Sequence, residues 1–187
     1  MTKIAVFASG AGSNFQAIQE AIERGELKAS IELVVTDKPG AFVVTRAKNY
    51  NLNILELTPK TFDSKEAYET VLVEELQKRG VEWIVLAGYM RLVGDVLLSA
   101  YPNRIINIHP SLLPLFPGKD AIGQAMAHGV KSTGVTVHYV DAGMDTGPII
   151  AQAAVNVVEG DREETEKRVH AVEHALYTTT LRELFSK

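Results

Sequence analysis

The chain has 187 residues, 46% of them hydrophobic and 22% charged, as expected for one globular domain with a substantial core. Its net charge of −4 argues against nucleic acid or an anionic membrane surface as the main partner. The absence of cysteine excludes disulfides, thiolate catalysis and cysteine-based metal sites.

Five short apolar segments in the first half predict strands that are buried on both faces, as in a parallel sheet. These segments are 3–9, 30–36, 53–57, 82–88 and 104–109. The first is too short for a signal peptide, and no apolar run approaches the roughly 20 residues of a membrane span. We therefore expect one cytoplasmic domain covering residues 1–187.

The segments between these strands carry helix start signals. Ser13 to Gln16 has the spacing of a capping box, and Asp63 to Glu66 has the same spacing with aspartate in the capping role. Alternating strands and helices imply right-handed crossovers and a doubly wound sheet.

The second half predicts a different kind of pairing. Segments 132–140 and 147–158 resemble strands, and the connection between them permits an antiparallel pair but no helical crossover. A last helix, capped by Asp161, runs almost to the terminus. The predicted fold class is α/β, with a doubly wound, mostly parallel (mixed) sheet and helices on both faces.

The glycine-rich segment 9–14, SGAGSN, follows the first predicted strand and opens the first helix. Free backbone N–H groups and the helix dipole favour an anion at such a place. Phe15 stands where a dinucleotide fingerprint has its third glycine, and the lysine of a Walker loop is missing. A single phosphate is the favoured ligand, and a tight turn that binds nothing is the alternative.

Two polar residues stand at the end of the fifth predicted strand. Asn107 and His109 are two apart, so their side chains share one face, and Pro110 keeps His109 extended. An amide beside an imidazole supplies two hydrogen-bond donors, as the developing oxyanion of acyl transfer requires. A structural histidine near a strand end is the alternative.

The connection 141–148, DAGMDTGP, holds two carboxylates, at Asp141 and Asp145. An aspartate beside an imidazole can orient the ring, favour its charged form and relay a proton. The alternative is a polar turn whose residues serve turn geometry only. Sequence alone does not place Asp145 beside His109.

Several motifs together resemble the glycinamide ribonucleotide formyltransferase family of purine biosynthesis. They are SGAGSN, LAGYMRLV, NIHPSLLP, FPGKDAIGQA, TVHYVDAGMDTGPII and VHAVEHALY, which span essentially the whole chain. NIHPSLLP is shared by the wider group of 10-formyltetrahydrofolate enzymes. SGAGSN and the compact length narrow the resemblance to the glycinamide ribonucleotide formyltransferases. It implies a formyltransferase-like Rossmann variant that moves a formyl group from 10-formyltetrahydrofolate to the amino group of glycinamide ribonucleotide.

The resemblance also implies a role for each matched residue. The implied catalytic residues are Asn107, His109 and Asp145. Those implied to bind the ribonucleotide are Gly12, Ser13, Asn14, His170 and Glu173, with His170 standing where glutamine is expected. Those implied to bind the folate are Lys65, Met90, Arg91, Leu92, Val93, Asn107, Val140, Asp141, Ala142, Gly143, Met144 and Asp145.

Other functions compete with this interpretation. They are a 10-formyltetrahydrofolate hydrolase, for which an extra N-terminal domain is expected, and a non-catalytic module that binds phosphorylated ligands. A formyltransferase acting on initiator tRNA would need a nucleic-acid-binding domain. We expect small-molecule partners, no nucleic acid or membrane, no metal, and a monomer or homodimer. Segment 116–129 is expected to form either a lid or a surface loop with a short helix.

Overall fold

A computed structural model describes all 187 residues, and its centre is a seven-stranded sheet in the order β3-β2-β1-β4-β5-β6-β7. The strands are β1 (Thr2–Phe7), β2 (Ala29–Thr36), β3 (Ile54–Glu56), β4 (Trp83–Leu86), β5 (Ile105–His109), β6 (Ser132–Tyr139) and β7 (Ile149–Asn156). The helices are α1 (Ser13–Glu23), α2 (Phe42–Asn49), α3 (Lys65–Lys78), α4 (Asp95–Ala100), α5 (Ala121–Ala127) and α6 (Arg162–Phe185).

The sheet is parallel from β3 to β5, and β6 and β7 are added to it by antiparallel pairing. The predicted mixed α/β sheet is therefore confirmed. The predicted strand 82–88 is shorter in the structure and ends at Leu86, because Gly88, at φ 80°, turns the chain away.

Helices cover both faces of the sheet because alternate strand residues point to opposite sides. Ile4 and Val6 of β1 belong to the apolar layer beneath α1, α2 and α6. Ala5 and Phe7 belong to the layer beneath α3 and α4. The carboxyl ends of β1, β4 and β5 thus lie side by side at one edge, between the two helical layers.

The helix caps differ in part from prediction. The capping box at Ser13 is wrong: Gly12 is the N-cap, in the left-handed conformation, and no side chain caps α1. For α3 the cap is Ser64, which accepts from the Ala67 N–H, and not Asp63. Asp161 caps α6 as predicted, accepting from the Glu164 N–H at 3.0 Å. None of the six helices is both long and apolar enough to cross a bilayer.

Candidate active site

A cleft of about 960 Å³ opens at the edge where β1, β4 and β5 end, as expected for ligand sites of open α/β sheets. Its walls are segments 9–14, 86–93, 107–110 and 118–122, together with residues near the β6–β7 connection and in α6. This volume is that of a pocket for a drug-sized molecule.

Most of the predicted site residues line this one cleft. They are Gly12, Ser13, Asn14, Met90, Arg91, Leu92, Val93, Asn107, His109, Val140, Gly143, Met144, Asp145, His170 and Glu173. Lys65, Asp141 and Ala142 do not line it. Lys65 is exposed in the first turn of α3 beside Gly94, and Asp141 accepts hydrogen bonds from Gly143 and Thr146 within its own turn. Folate contacts by these three residues stay predictions.

The three residues predicted to act in catalysis are neighbours. The Nδ1 atom of His109 lies 3.6 Å from Oδ2 of Asp145, although the two residues are far apart in the chain. Both side chains are nearly buried, with about a tenth of their surface exposed. Asn107 stands two residues before His109 on β5, and both line the cleft. An amide, an imidazole and a carboxylate therefore surround one point of the cleft wall.

The other ring nitrogen of His109 is fixed by the backbone. Nε2 lies 2.9 Å from the carbonyl oxygen of Phe116. Because a carbonyl can only accept, Nε2 carries a proton and donates it. The nitrogen that faces Asp145 and the cleft is therefore Nδ1, and a second proton there would face a carboxylate.

His138 is a member of this cluster that the sequence did not reveal. Its Nδ1 donates to the carbonyl of Tyr139 at 2.9 Å, so Nε2 presents a lone pair. The side-chain amide of Asn107 donates to that lone pair at 3.3 Å. Burial lowers the pKa of His138, which favours the neutral ring that can accept this hydrogen bond. One amide N–H of Asn107 is thereby anchored, and the second is left for a ligand.

The carboxylate of Asp145 connects this cluster to the segment after β5. Asp145 adopts a left-handed conformation, at φ 56°, and its Oδ2 accepts from the N–H of Gly118 at 2.8 Å. Oδ1 lies 3.9 Å from Nε2 of His138. Segment 116–129 itself forms a loop followed by the short helix α5.

The glycine-rich segment presents free backbone donors to the cleft. The first hydrogen bond of α1 runs from Gln16 N–H to the Gly12 carbonyl, so the N–H groups of residues 13–15 have no helical partner. Arg46 donates to the carbonyl of Ala11 at 2.7 Å and holds the segment from outside. The Oδ1 atom of Asn14 is buried without a partner. Free N–H groups at a helix N-terminus favour an anion.

His170 and Glu173 form a hydrogen-bonded pair on α6 at the wall of the cleft. His170 Nδ1 lies 2.7 Å from Oε1 of Glu173, whose side chain is 6% exposed while that of His170 is 52% exposed. The hydrogen bond to Glu173 raises the pKa of His170, and burial opposes it; the charges of Glu173 and Glu166 add smaller raising effects.

A His170→Gln protein should lose a pH-dependent part of the wild-type stability. Because the folded-state pKa lies above the unfolded value of about 6.5, this contribution is fully present below that pH and is lost as the pH rises through the folded value. The difference in Tm between the two proteins should therefore be larger at pH ~5.5 than at pH ~8.5. It should be modest at both pH values, because His170 is half exposed to solvent. An equal difference at both pH values, measured by thermal denaturation, would contradict this prediction.

Part of the cleft lining is apolar and open to solvent. Met90, Leu92 and Met144 line it with 66%, 45% and 57% of their surfaces exposed. The Met90 N–H donates to Ser9 Oγ at 2.8 Å, and Ser9 donates to Asp37 at 2.6 Å, which fixes the segment against β1. Large exposed apolar side chains in a cleft indicate a surface for an apolar part of a ligand.

At the rim, Arg162 pairs with Asp120, the N-cap of α5, through two contacts. The structure contains no group of three or more histidine, aspartate or glutamate side chains arranged for a metal ion. The expected lack of a metal stays a prediction.

Comparisons with known proteins give a family model and a curated relative that both match nearly the whole chain. Residues 2–181 match the family model described as formyl transferase. The phosphoribosylglycinamide formyltransferase of Bacillus subtilis is 53% identical over 185 residues, which are 98% of this chain and 95% of that protein.

Solved structures give the same result. The phosphoribosylglycinamide formyltransferase of Bacillus halodurans matches with a TM-score of 0.96 and 54% identity, covering 100% of this chain and 96% of that one. The glycinamide ribonucleotide transformylase 1 of Geobacillus kaustophilus matches with a TM-score of 0.96 and 58% identity, covering 98% of both chains.

Proposed function

The chain belongs to the formyl transferase family, and we propose that it moves the formyl group of 10-formyltetrahydrofolate onto the amino group of glycinamide ribonucleotide. The product is formylglycinamide ribonucleotide, an intermediate of purine biosynthesis. One observation supports this function above all others. A single cleft is lined by free backbone N–H groups at a helix N-terminus, by apolar side chains and by the cluster of Asn107, His109 and Asp145.

The reaction begins when the substrate amine attacks the formyl carbon and forms a new C–N bond. The formyl oxygen becomes an oxyanion, which accepts hydrogen bonds from the free N–H of Asn107 and from protonated Nδ1 of His109. Single donors of this kind contribute about 10²–10³-fold to turnover. Collapse of the intermediate breaks the bond between the formyl carbon and N10 of the folate, which takes up a proton.

Asp145 has two tasks in this scheme. Its carboxylate stabilises the protonated ring of His109, 3.6 Å away. It also accepts the proton that the attacking amine must lose, either directly or through one water, and this proton then passes to N10. The amine thus supplies the proton that the departing folate nitrogen receives.

The two substrates would approach from opposite sides of this cluster. The N–H groups of Gly12, Ser13 and Asn14 would hold the ribonucleotide phosphate, and Glu173 would accept from the ribose hydroxyls. The folate would lie along Met90 and the residues that follow it. Holding two reactants in contact contributes much of the rate enhancement of such transfers.

A Gly12→Ala protein should bind the ribonucleotide more weakly. An added Cβ would lie 2.6 Å from Cγ2 of Val43, and the backbone φ of 76° is strained for alanine. The anion-binding segment must therefore shift, and we expect KM for the ribonucleotide to rise by about 10-fold or more. Gly25→Ala is the matched control, because its φ of 74° is similarly strained for alanine, nothing lies within 4 Å of its added Cβ, and it does not line the cleft. Equal KM values for the ribonucleotide in both variants would contradict the assignment.

An assay with omitted substrates separates the transferase from its alternatives. The protein is mixed with 10-formyltetrahydrofolate, with the ribonucleotide, and with both, and the folate absorbance is followed. A change that requires both substrates supports transfer. A change with the folate alone would indicate the hydrolase, and none in any mixture would indicate a non-catalytic binder; the family relatives favour neither. A cytoplasmic location, and a monomer or homodimer, stay predictions.

A further inference from the structure

Tyr177 is a buried tyrosine of α6. It does not line the cleft, but it contacts β4 and β5, the two strands whose ends do. The side chain is fully buried. Its hydroxyl lies 2.7 Å from the carbonyl oxygen of Leu86 and 3.2 Å from that of Ile106. Leu86 is the last residue of β4, and Ile106 immediately precedes Asn107 on β5. One hydroxyl proton is therefore shared between carbonyls of two neighbouring strands.

These two carbonyls mark the point where β4 and β5 separate. β4 pairs with β1 as far as Leu86, but it pairs with β5 only at Ile84 and Val85. From Asn107 to His109, β5 pairs with β6 and no longer with β4. Leu86 and Asn107, which follow the last paired residues of β4 and β5, both line the cleft wall. The Tyr177 hydroxyl thus lies where the sheet divides to form the site.

We infer that Tyr177 is a positioning residue, which fixes the separation of β4 and β5 and thereby the place of the Asn107 amide. This inference rests on the proposed function, because it assigns Tyr177 an effect on turnover through Asn107. The same helix carries Glu173 one turn earlier, and Glu173 lines the ribonucleotide end of the cleft. One rigid helix therefore sets the distance between that end and the catalytic strand.

A purely structural tyrosine would act differently. Its loss would lower the stability of the fold and leave turnover of the folded protein unchanged. A positioning residue must instead change kcat in protein that is fully folded, because misplacement of a reacting group by even ~1 Å lowers rates by up to about 10²-fold.

The test compares Tyr177→Phe with two control variants. Tyr101→Phe removes a buried hydroxyl that has no hydrogen-bond partner, and Leu181→Ala destabilises α6 one turn further on without removing a hydrogen bond to β4 or β5. We expect kcat of Tyr177→Phe to fall by about 10-fold, with KM for both substrates within about 2-fold, and both controls to keep wild-type kcat. Saturating ribonucleotide favours the folded state of every variant during the assay.

A double variant tests whether the effect passes through Asn107. In an Asn107→Ala background, adding Tyr177→Phe should lower kcat by less than about 2-fold, because the group it positions is already gone. The inference would be overturned if Tyr177→Phe lowered kcat by about 10-fold in the Asn107→Ala background as well. It would also be overturned if folded Tyr177→Phe kept the wild-type kcat. If instead the wild-type protein transferred no formyl group, the proposed function itself would fail.

Discussion

A His109→Ala protein should fold normally and turn over at least about 10³-fold more slowly than the wild type. The substitution removes the Nδ1 donor that we propose for the oxyanion of the formyl group. It also leaves Asp145 without the ring 3.6 Å away. The fold should survive because His109 is the last residue of β5, and its backbone pairing with Thr136 does not depend on the ring.

The measurement is kcat with both substrates saturating, accompanied by circular dichroism and a thermal melt. His128→Ala is the matched control, since His128 is exposed, lies in the segment after β5 and does not line the cleft. Wild-type turnover in a folded His109→Ala protein would remove this histidine from the mechanism.

Asp145→Asn should lower kcat by about 10²-fold or more while preserving the shape of the site. Asparagine adopts the left-handed conformation of residue 145 readily, and its amide oxygen can still accept from the Gly118 N–H. Only the charge is lost, and with it the acceptor that we propose for the amine proton and the negative charge beside the His109 ring.

A second aspartate in the same connection supplies the control for this variant. Asp141 accepts from Gly143 and Thr146 and does not line the cleft. Asp141→Asn should therefore keep kcat at saturating folate close to the wild-type value, because loss of its predicted folate contact would change KM for the folate and not kcat. Equal losses of kcat in the two variants would indicate that both act through the turn, and would contradict a specific role for the Asp145 charge.

The strands were predictable because their signal is local. Continuous apolar runs gave 30–36 and 104–109, and the structure has Ala29–Thr36 and Ile105–His109. Helices α2 and α4 were not identified, since their N-caps are Ala41 and Gly94, without the capping side chains that announce a helix.

The site was predictable only in its local parts. Asn107 and His109 share a face of one strand, so the sequence shows their relation directly. His138 reaches Asn107 because the two are opposite each other in the antiparallel pairing of β5 and β6, a register that depends on tertiary structure. The approach of Asp145 to His109, and of Tyr177 to β4 and β5, likewise depends on how distant segments pack.

A crystal structure with glycinamide ribonucleotide and a folate analogue bound would test the arrangement of the reacting groups most directly. We predict the phosphate on the N–H groups of residues 12–14, and the substrate amine and the folate N10 within roughly 4 Å of Asn107, His109 and Asp145. A phosphate bound elsewhere, or a folate whose N10 lies remote from these three side chains, would contradict the mechanism.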